Sequence, residues 1–183
     1  MQKIEGIEKV SSFVQKREIE EIKYRLTGKK ILFASSLKGE GKTSVALALG
    51  RFLAETKKVL YLGELTNEFS TSEACLGQIC CSDIDNLYIL LKEDVSEEEI
   101  DKFGTEFDYV LIEMKALQIS KEVMAIAALC DQTILVVEAN RGSYRLIKEN
   151  IELLRAAHAR EISLVLNRTK KIYGLLKTKN RKR

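Results

Sequence analysis

Short apolar runs alternate with longer stretches of helical hydrophobic spacing along most of this chain. Runs rich in Val, Ile and Leu predict strands, and apolar residues spaced three and four positions apart predict helices. The predicted strands are Ile31–Ser35, Val59–Leu62, Leu87–Leu91, Tyr109–Glu113, Thr133–Val137 and Ser163–Leu166. The predicted helices are Lys42–Thr56, Ser70–Cys81, Ser96–Phe103, Ile119–Cys130 and Ser143–His158. Apolar strands separated by helices indicate a parallel sheet covered on both faces.

Two of the predicted helices begin with capping-box spelling, Ser70 with Glu73 and Ser96 with Glu99. Before the first strand, apolar residues recur at helical spacing between Ile4 and the region of Gly28, which predicts one or two amphipathic helices. We therefore expect an α/β fold of three layers, with a mostly parallel sheet and helices on both faces. The expected organisation is an N-terminal helical extension over residues 1–28, one domain over 29–169 and a tail over 170–183.

The composition is that of a globular protein, with 45% hydrophobic and 31% charged residues among 183. No apolar run approaches the roughly 20 residues that a membrane span requires, and the N-terminus lacks the apolar core of a secretory signal. We therefore expect a cytoplasmic protein. Its four cysteines form no CxxC pair and there is one histidine, so we expect reduced thiols and no zinc site; these residues are Cys75, Cys80, Cys81, Cys130 and His158.

Positive charge is concentrated at the end of the chain. Residues 170–183 contain seven Lys or Arg and no acid, which leaves 23 basic and 27 acidic residues in the remainder. A weakly acidic body is not typical of nucleic-acid-binding domains, so no nucleic acid is expected. The tail interleaves lysines with Ile172, Tyr173, Leu175 and Leu176. Two interpretations remain open: a peripheral contact with anionic lipid at the inner face of the membrane, or a solvated end.

The segment from Ile31 to Ser44 reads ILFASSLKGEGKTS, a buried strand that continues through a glycine-rich turn into a helix. Such a turn directs main-chain N–H groups at one centre, beside the positive end of the helix dipole, and binds phosphate. In the pattern G-x-x-x-x-G-K-[ST], Ser36 replaces the first glycine and the last three residues match. The candidate phosphate-binding residues are Gly39, Glu40, Gly41, Lys42, Thr43 and Ser44.

Other candidate residues lie at the ends of later strands, because parallel sheets bind ligands at the carboxyl ends of their strands. Glu113 ends the strand FDYVLIE and is a candidate to hold a metal-bound water or to act as a base. Asn167 and Arg168 end the last strand, where an Asn can hydrogen-bond an adenine edge. GTP recognition by N-K-x-D would require an acid where Lys170 stands, which favours ATP.

From Glu18 to Thr169 the chain resembles the MinD/ParA-type P-loop ATPases, and among them the bacterial tyrosine autokinases of capsule and exopolysaccharide synthesis. The motifs that carry the resemblance are GEGKTS at 39–44, KKVLYL at 57–62, FDYVLIE at 107–113, ILVVEAN at 134–140 and VLNR at 165–168. The resemblance implies ATP and Mg²⁺ as cofactors. It also implies that Lys42 and Thr43 bind phosphate and Mg²⁺, and that Glu113 takes the Walker B position.

The chain also departs from these kinases. Their second acidic motif, D-x-D, aligns with Gly63, Glu64 and Leu65, so Glu64 is the candidate substitute at the metal. Their C-terminal tyrosine cluster is reduced to Tyr173. Prolines beside the Walker A and B motifs are replaced by Lys38 and by residues 115–116, and the signature lysine of MinD-type proteins falls at Leu37, next to Lys38.

Three functions are compatible with these features. The first is an ATP-dependent tyrosine autokinase or ATPase of polysaccharide export, with Lys42, Glu113 and Glu64 as catalytic residues. The second is a nucleotide-binding regulatory subunit without turnover, and the third is a MinD-like membrane-associated ATPase switch. The resemblance implies a cytoplasmic segment of a membrane polysaccharide-export protein as partner. A homo-oligomer assembled through the helix at residues 17–26 is an alternative to simple packing of that helix on the domain.

Overall fold

Eight strands form one sheet in the structure, a computed structural model that describes residues 3, 4, 7, 9, 16–63, 76–92 and 94–169. The strands are β1 (Lys3–Ile4), β2 (Lys30–Ser35), β3 (Val59–Gly63), β4 (Ile79–Ser82), β5 (Leu87–Leu91), β6 (Tyr109–Glu113), β7 (Gln132–Glu138) and β8 (Glu161–Asn167). The helices are α1 (Lys16–Lys23), α2 (Lys42–Ala54), α3 (Glu97–Glu106), α4 (Glu122–Leu129) and α5 (Tyr144–Ala156).

The strands lie in the order β1-β4-β5-β3-β6-β2-β7-β8. Along the part of this order that runs β5-β3-β6-β2-β7-β8, every pair of neighbouring strands is parallel. β4 runs antiparallel to β5, and β1 lies parallel to β4. This confirms the predicted α/β fold with a mostly parallel sheet. All six strands predicted from their apolar runs are present, and β5 and β6 have the predicted bounds.

Helices cover both faces of the sheet, which explains why the central strands are apolar throughout. On one face, Ile19 of α1 and Leu47 of α2 pack with Phe33 and Tyr61 of the sheet. On the other face, α3, α4 and α5 contribute Ile100, Val123 and Leu154 to a second core with Leu32 and Leu60. α2 lies close to the sheet at Gly50, where a Cβ would stand 3.2 Å from side-chain atoms of Leu87 and Leu111.

Two helix predictions are wrong in part. Ser70–Cys81 was expected to be one helix, but its end lies in β4, where Cys80 pairs with Ile89 in an antiparallel hairpin. Burial alternates along β4, with Cys80 and Ser82 buried, and Asn86 at φ 62° allows the tight connection to β5. The hairpin extends the sheet and β4 also pairs with the distant β1, so strand pairing prevails over local helical spacing. The capping pair at Ser70, together with Cys75, lies outside the described residues.

The N-terminal segment also differs from the predicted helix at its start, because Lys3 and Ile4 form a strand beside β4. α1 follows at Lys16–Lys23 and packs on α2: Ile19 is buried, and the Lys23 ammonium lies 4.9 Å from the ring centre of Phe52. These contacts show that α1 packs on the domain, and the alternative role in oligomerisation stays a prediction.

The capping box predicted at the start of α3 is confirmed. Ser96 Oγ accepts a hydrogen bond from the main-chain N–H of Glu99 at 3.2 Å, and Glu99 Oε2 accepts one from the N–H of Ser96 at 3.0 Å. The hydrogen bond from Lys92, followed by that from Ser96, lowers the pKa of Glu99. In the described part of the chain, no helix has both the length and the apolar character needed to cross a membrane.

Carboxylates hold the starts of several strands at the amino edge of the sheet. Asp131 Oδ2 accepts hydrogen bonds from the main-chain N–H groups of Lys29 and Lys30, both at 2.9 Å. Asp108 Oδ2 accepts one from Lys58 N–H at 2.8 Å. Burial acts to raise the pKa of Asp131, but the two main-chain hydrogen bonds and the charges of Lys30 and Arg160 outweigh it, and the pKa is lowered. These acids therefore satisfy main-chain groups that the sheet leaves unpaired.

Candidate functional site

A glycine-rich loop joins β2 to α2 at the carboxyl edge of the sheet. Gly39 and Gly41 have φ values of 83° and 88°, a left-handed conformation that side-chain-bearing residues rarely adopt. Gly41 is the N-cap of α2, and no side chain in the described part of the chain caps this helix. The first-turn N–H groups and the positive end of the helix dipole therefore face the loop without a side-chain acceptor, which is the arrangement of an anion site.

Lys42 lies inside this loop and is only 8% exposed. Its ammonium donates to Ser35 Oγ at 3.0 Å, and the Ser35 hydroxyl donates to the carbonyl oxygen of Leu37 at 2.8 Å. A buried ammonium requires oxygen partners, because desolvation of an unpaired charge is costly. The end of β2 and the loop main chain thus fix this charge at the base of the loop.

Thr43 and Glu113 meet at the N-terminus of α2. The Thr43 hydroxyl donates to Glu113 Oε1 at 2.7 Å, and the Tyr61 hydroxyl donates a hydrogen bond to Glu113 Oε2. In the parallel pairing of β3 with β6, Tyr61 lies opposite Leu111, and Glu113 is two positions further along β6. Tyr61 and Glu113 therefore lie on the same face of the sheet, the one that α2 covers. A carboxylate and a hydroxyl are ligand types that Mg²⁺ accepts, with the rest of its shell coming from water and phosphate. The residues present therefore fit a magnesium ion bound together with a phosphate group.

Glu40 does not point towards solvent, although it lies in the loop. Its side chain is fully buried, and its two oxygens accept from the main-chain N–H groups of Leu37 at 2.7 Å and Glu138 at 3.2 Å. Glu40 therefore closes the loop on itself and ties it to the end of β7. Its contribution to a phosphate site is to the shape of the loop.

Asn167, at the end of β8, also contacts the loop. Its amide nitrogen donates to the carbonyl oxygen of Glu40 at 2.9 Å, and its amide oxygen accepts from Arg168 N–H at 2.9 Å. A Cβ on Gly41 would collide with this amide, so a glycine is required there for steric reasons as well. The predicted contact of Asn167 with an adenine edge stays a prediction.

Two guanidinium groups flank the loop through Glu138. Glu138 accepts from Arg168 and Arg141, both at 3.0 Å, and these hydrogen bonds, that from Arg168 above all, lower its pKa. Arg141 Nη1 also lies 3.4 Å from the position that a Cβ on Gly39 would take. Positive charge therefore stands beside the phosphate loop from two different strand ends, and Arg141 is a candidate phosphate contact that the motif patterns did not indicate.

Asn150 and Tyr61 are further residues that the sequence analysis missed. Asn150 of α5 is buried, and its amide donates to Ser36 Oγ at 2.7 Å, at the position that replaces the first glycine of the pattern. An Asn within an amphipathic helix and a Tyr within an apolar strand give no distinct local signal, because each pattern is equally typical of a packing residue. Only the fold brings them to the loop.

The remaining predicted residues are distributed as follows. Ser44 lies in the first turn of α2, and Glu64 lies outside the described residues. A groove of about 760 Å³ lies between α1 and β8, and its lining includes Asn167 and Arg168 but neither Lys42 nor Glu113. The groove therefore reaches the candidate site only at the end of β8, and the phosphate loop lies outside it.

No protein-family model matches the chain, and no curated protein matches it in sequence. Solved structures share its fold. The VpsO kinase domain has a TM-score of 0.69 at 18% identity, covering 90% of this chain and 96% of that chain. The kinase domain of the Escherichia coli tyrosine kinase ETK has a TM-score of 0.64 at 12% identity, covering 92% and 79%.

The MinD cell division protein of Aquifex aeolicus has a TM-score of 0.65 at 20% identity, covering 78% of this chain and 70% of that chain. At these identities the likeness concerns the fold. The resemblance expected from the sequence is confirmed at that level: the chain has the α/β fold that tyrosine kinase domains of this type share with MinD-like ATPases.

Proposed function

We propose that this chain binds ATP with Mg²⁺ in the loop between β2 and α2, and that its nucleotide state regulates polysaccharide synthesis or export. One observation carries the proposal: Lys42, Thr43 and Glu113 converge at an uncapped helix N-terminus. The buried ammonium and the loop N–H groups would hold the phosphates, and Thr43 with Glu113 would hold the metal. When bound, Mg²⁺ offsets negative charge on the phosphates.

The proposed roles come from the geometry of the described residues and, for Glu64, from the sequence alignment alone. Lys42 and the main chain of residues 39–44 bind phosphate, with Glu40 shaping the loop. Asn167 and Arg168 bound the site on the β8 side, where they are proposed to face the nucleotide base. Glu113 and Glu64 are the proposed acids at the metal. Catalysis is proposed to be weak, because the alignment leaves a single acid at the D-x-D motif.

Three further functions remain as alternatives. A tyrosine autokinase is favoured by the likeness to the VpsO and ETK kinase domains, and a regulatory subunit without turnover by the loss of acids and of the tyrosine cluster. The partner would then be the cytoplasmic segment of a membrane polysaccharide-export protein. A MinD-like membrane switch depends on the basic tail at 170–183, which lies outside the described residues.

The test is equilibrium binding of γ-labelled ATP with Mg²⁺, with protein-bound label and free phosphate followed separately. Lys42→Ala should weaken ATP binding about 100-fold, since a charge-assisted contact with the phosphates is lost. Lys38→Ala is the matched control, because Lys38 is an exposed lysine of the same loop. Equal ATP affinity of wild type and Lys42→Ala would refute the proposal. Labelled phosphate on the protein would support the tyrosine autokinase. Tight ATP binding with neither labelled protein nor free phosphate would support the regulatory subunit without turnover.

A further inference from the structure

Tyr61 is a buried polar residue to which the proposed function gives no role. Its side chain is fully buried within the core between α2 and the sheet. Its hydroxyl nevertheless reaches the carboxyl edge, where it donates to Glu113 Oε2, while Thr43 donates to Glu113 Oε1. Each oxygen of the Glu113 carboxylate therefore has a hydroxyl donor, and the two donors lie on either side of it.

The ring of Tyr61 lies over Gly63. A Cβ built on Gly63 would stand 2.6 Å from the Tyr61 hydroxyl oxygen and 2.8 Å from Cε1 and Cζ. The two residues are two positions apart on β3 and so share a face of the sheet. A Cβ atom does not tolerate contacts this short, so the phenol occupies its position because residue 63 has no side chain.

We infer that Tyr61 is a positioning residue of the nucleotide site: its hydroxyl holds the Glu113 carboxylate against Thr43 and fills the space of a side chain at position 63. The inference rests on the proposed function. A glutamate has one more side-chain torsion than an aspartate, so its carboxylate has more positions to lose on binding a metal. A second hydroxyl donor restricts those positions in advance, which lowers the entropic cost of metal binding.

The inference also explains why a glycine stands at position 63. In the alignment with tyrosine autokinases, position 63 is the first position of the D-x-D motif. Here a neutral phenol fills the space beside Glu113 that an acidic side chain at position 63 would enter. The site thereby carries less negative charge at the metal, and the orientation of Glu113 becomes correspondingly more important for Mg²⁺.

The experiment measures ATP affinity with Mg²⁺ and with EDTA in the full chain. Tyr61→Phe removes one oxygen and should weaken Mg²⁺·ATP binding about 10-fold, as expected for a hydrogen bond to a carboxylate, while changing the affinity in EDTA less than about twofold. Gly63→Ala should give the same magnesium-specific loss, because its Cβ displaces the phenol. Tyr109→Phe is the matched control, because Tyr109 begins β6 and Glu113 ends it. Its ATP affinity should equal that of the wild type, both with Mg²⁺ and with EDTA.

A double variant separates action through Glu113 from a general packing effect. Adding Tyr61→Phe to Glu113→Gln should cost less than about twofold, because the carboxylate that Tyr61 positions is already gone. If the losses of ATP affinity in the two single variants multiply in the double variant, the inference is overturned. An equal loss in Tyr61→Phe with Mg²⁺ and with EDTA would also overturn it. Neither result would contradict the proposed binding of nucleotide. A wild type that binds no ATP in either condition would overturn both the inference and the proposed function.

Discussion

Carboxylates at the two edges of the same sheet accept hydrogen bonds from different parts of the structure. At the amino edge, Asp131 and Asp108 accept hydrogen bonds from N–H groups where strands begin, and the charges of Lys30 and Arg160 act on the Asp131 carboxylate. At the carboxyl edge, Glu40 and Glu113 accept from the loop and from the first turn of α2. The first pair completes the sheet. The second pair holds the phosphate loop and the first turn of α2, where glycines alone would leave the main chain free to adopt several conformations. The same kind of hydrogen bond therefore supports the sheet at one edge and the proposed nucleotide site at the other.

The largest expected effect comes from Glu40. Glu40→Ala leaves the N–H groups of Leu37 and Glu138 without their acceptor and releases the loop from β7. We expect ATP affinity to fall about 100-fold, or about 3 kcal/mol, since a hydrogen bond to a charged group contributes about 1.5–3 kcal/mol. Asp108→Ala, which removes an amino-edge acid, should leave ATP affinity unchanged. Equilibrium ATP titration of both variants checks this, and a loss below threefold in Glu40→Ala would remove the distinction between the edges.

The converse prediction concerns Asp131. Asp131→Ala should lower the free energy of unfolding by about 2 kcal/mol, because two main-chain N–H groups lose a charged acceptor. ATP affinity should stay within about twofold of wild type. Arg160→Ala is the control: it removes an exposed ion pair of 3.3 Å and should cost less than about 1 kcal/mol. Urea unfolding measures the free energy of unfolding of the wild type, Asp131→Ala and Arg160→Ala. An Asp131→Ala protein of wild-type stability but impaired binding would reverse the comparison.

The sequence predicts the sheet better than it predicts the site, and the reason is the range of the interactions. β5 and β6 follow directly from uninterrupted apolar runs, and the loop glycines before Lys42 carry their own local signal. The pairing of β4 with β1 and the contact of Tyr61 with Glu113 depend on strands distant in sequence. A tyrosine within an apolar strand is indistinguishable from a packing residue until the register places its hydroxyl at the strand ends.

A smaller effect is expected from Asn167. Asn167→Ala removes one hydrogen bond to the Glu40 carbonyl and should weaken ATP binding about fivefold, or about 1 kcal/mol. Its amide nitrogen and its amide oxygen can each form one more hydrogen bond besides these, so the proposed contact with the base should make the loss larger for ATP than for GTP. Parallel titrations with the two nucleotides measure the ratio. Equal weakening of ATP and GTP would mean that Asn167 acts through the loop alone and does not contact the base.

The smallest expected effect is a pH dependence confined to the amino edge. The pKa of Asp131 is lowered in the folded chain, so its contribution to stability is complete above the unfolded-state pKa of about 4 and is lost as the pH falls through the folded-state value. Because the group is partly exposed and screened, we expect this loss to stay below about 1 kcal/mol. Urea unfolding of wild type and Asp131→Asn at pH 6 and at successively lower pH measures it. The wild type should lose more stability than Asp131→Asn over that interval; parallel curves would mean that the ionised form of Asp131 does not hold the strand starts.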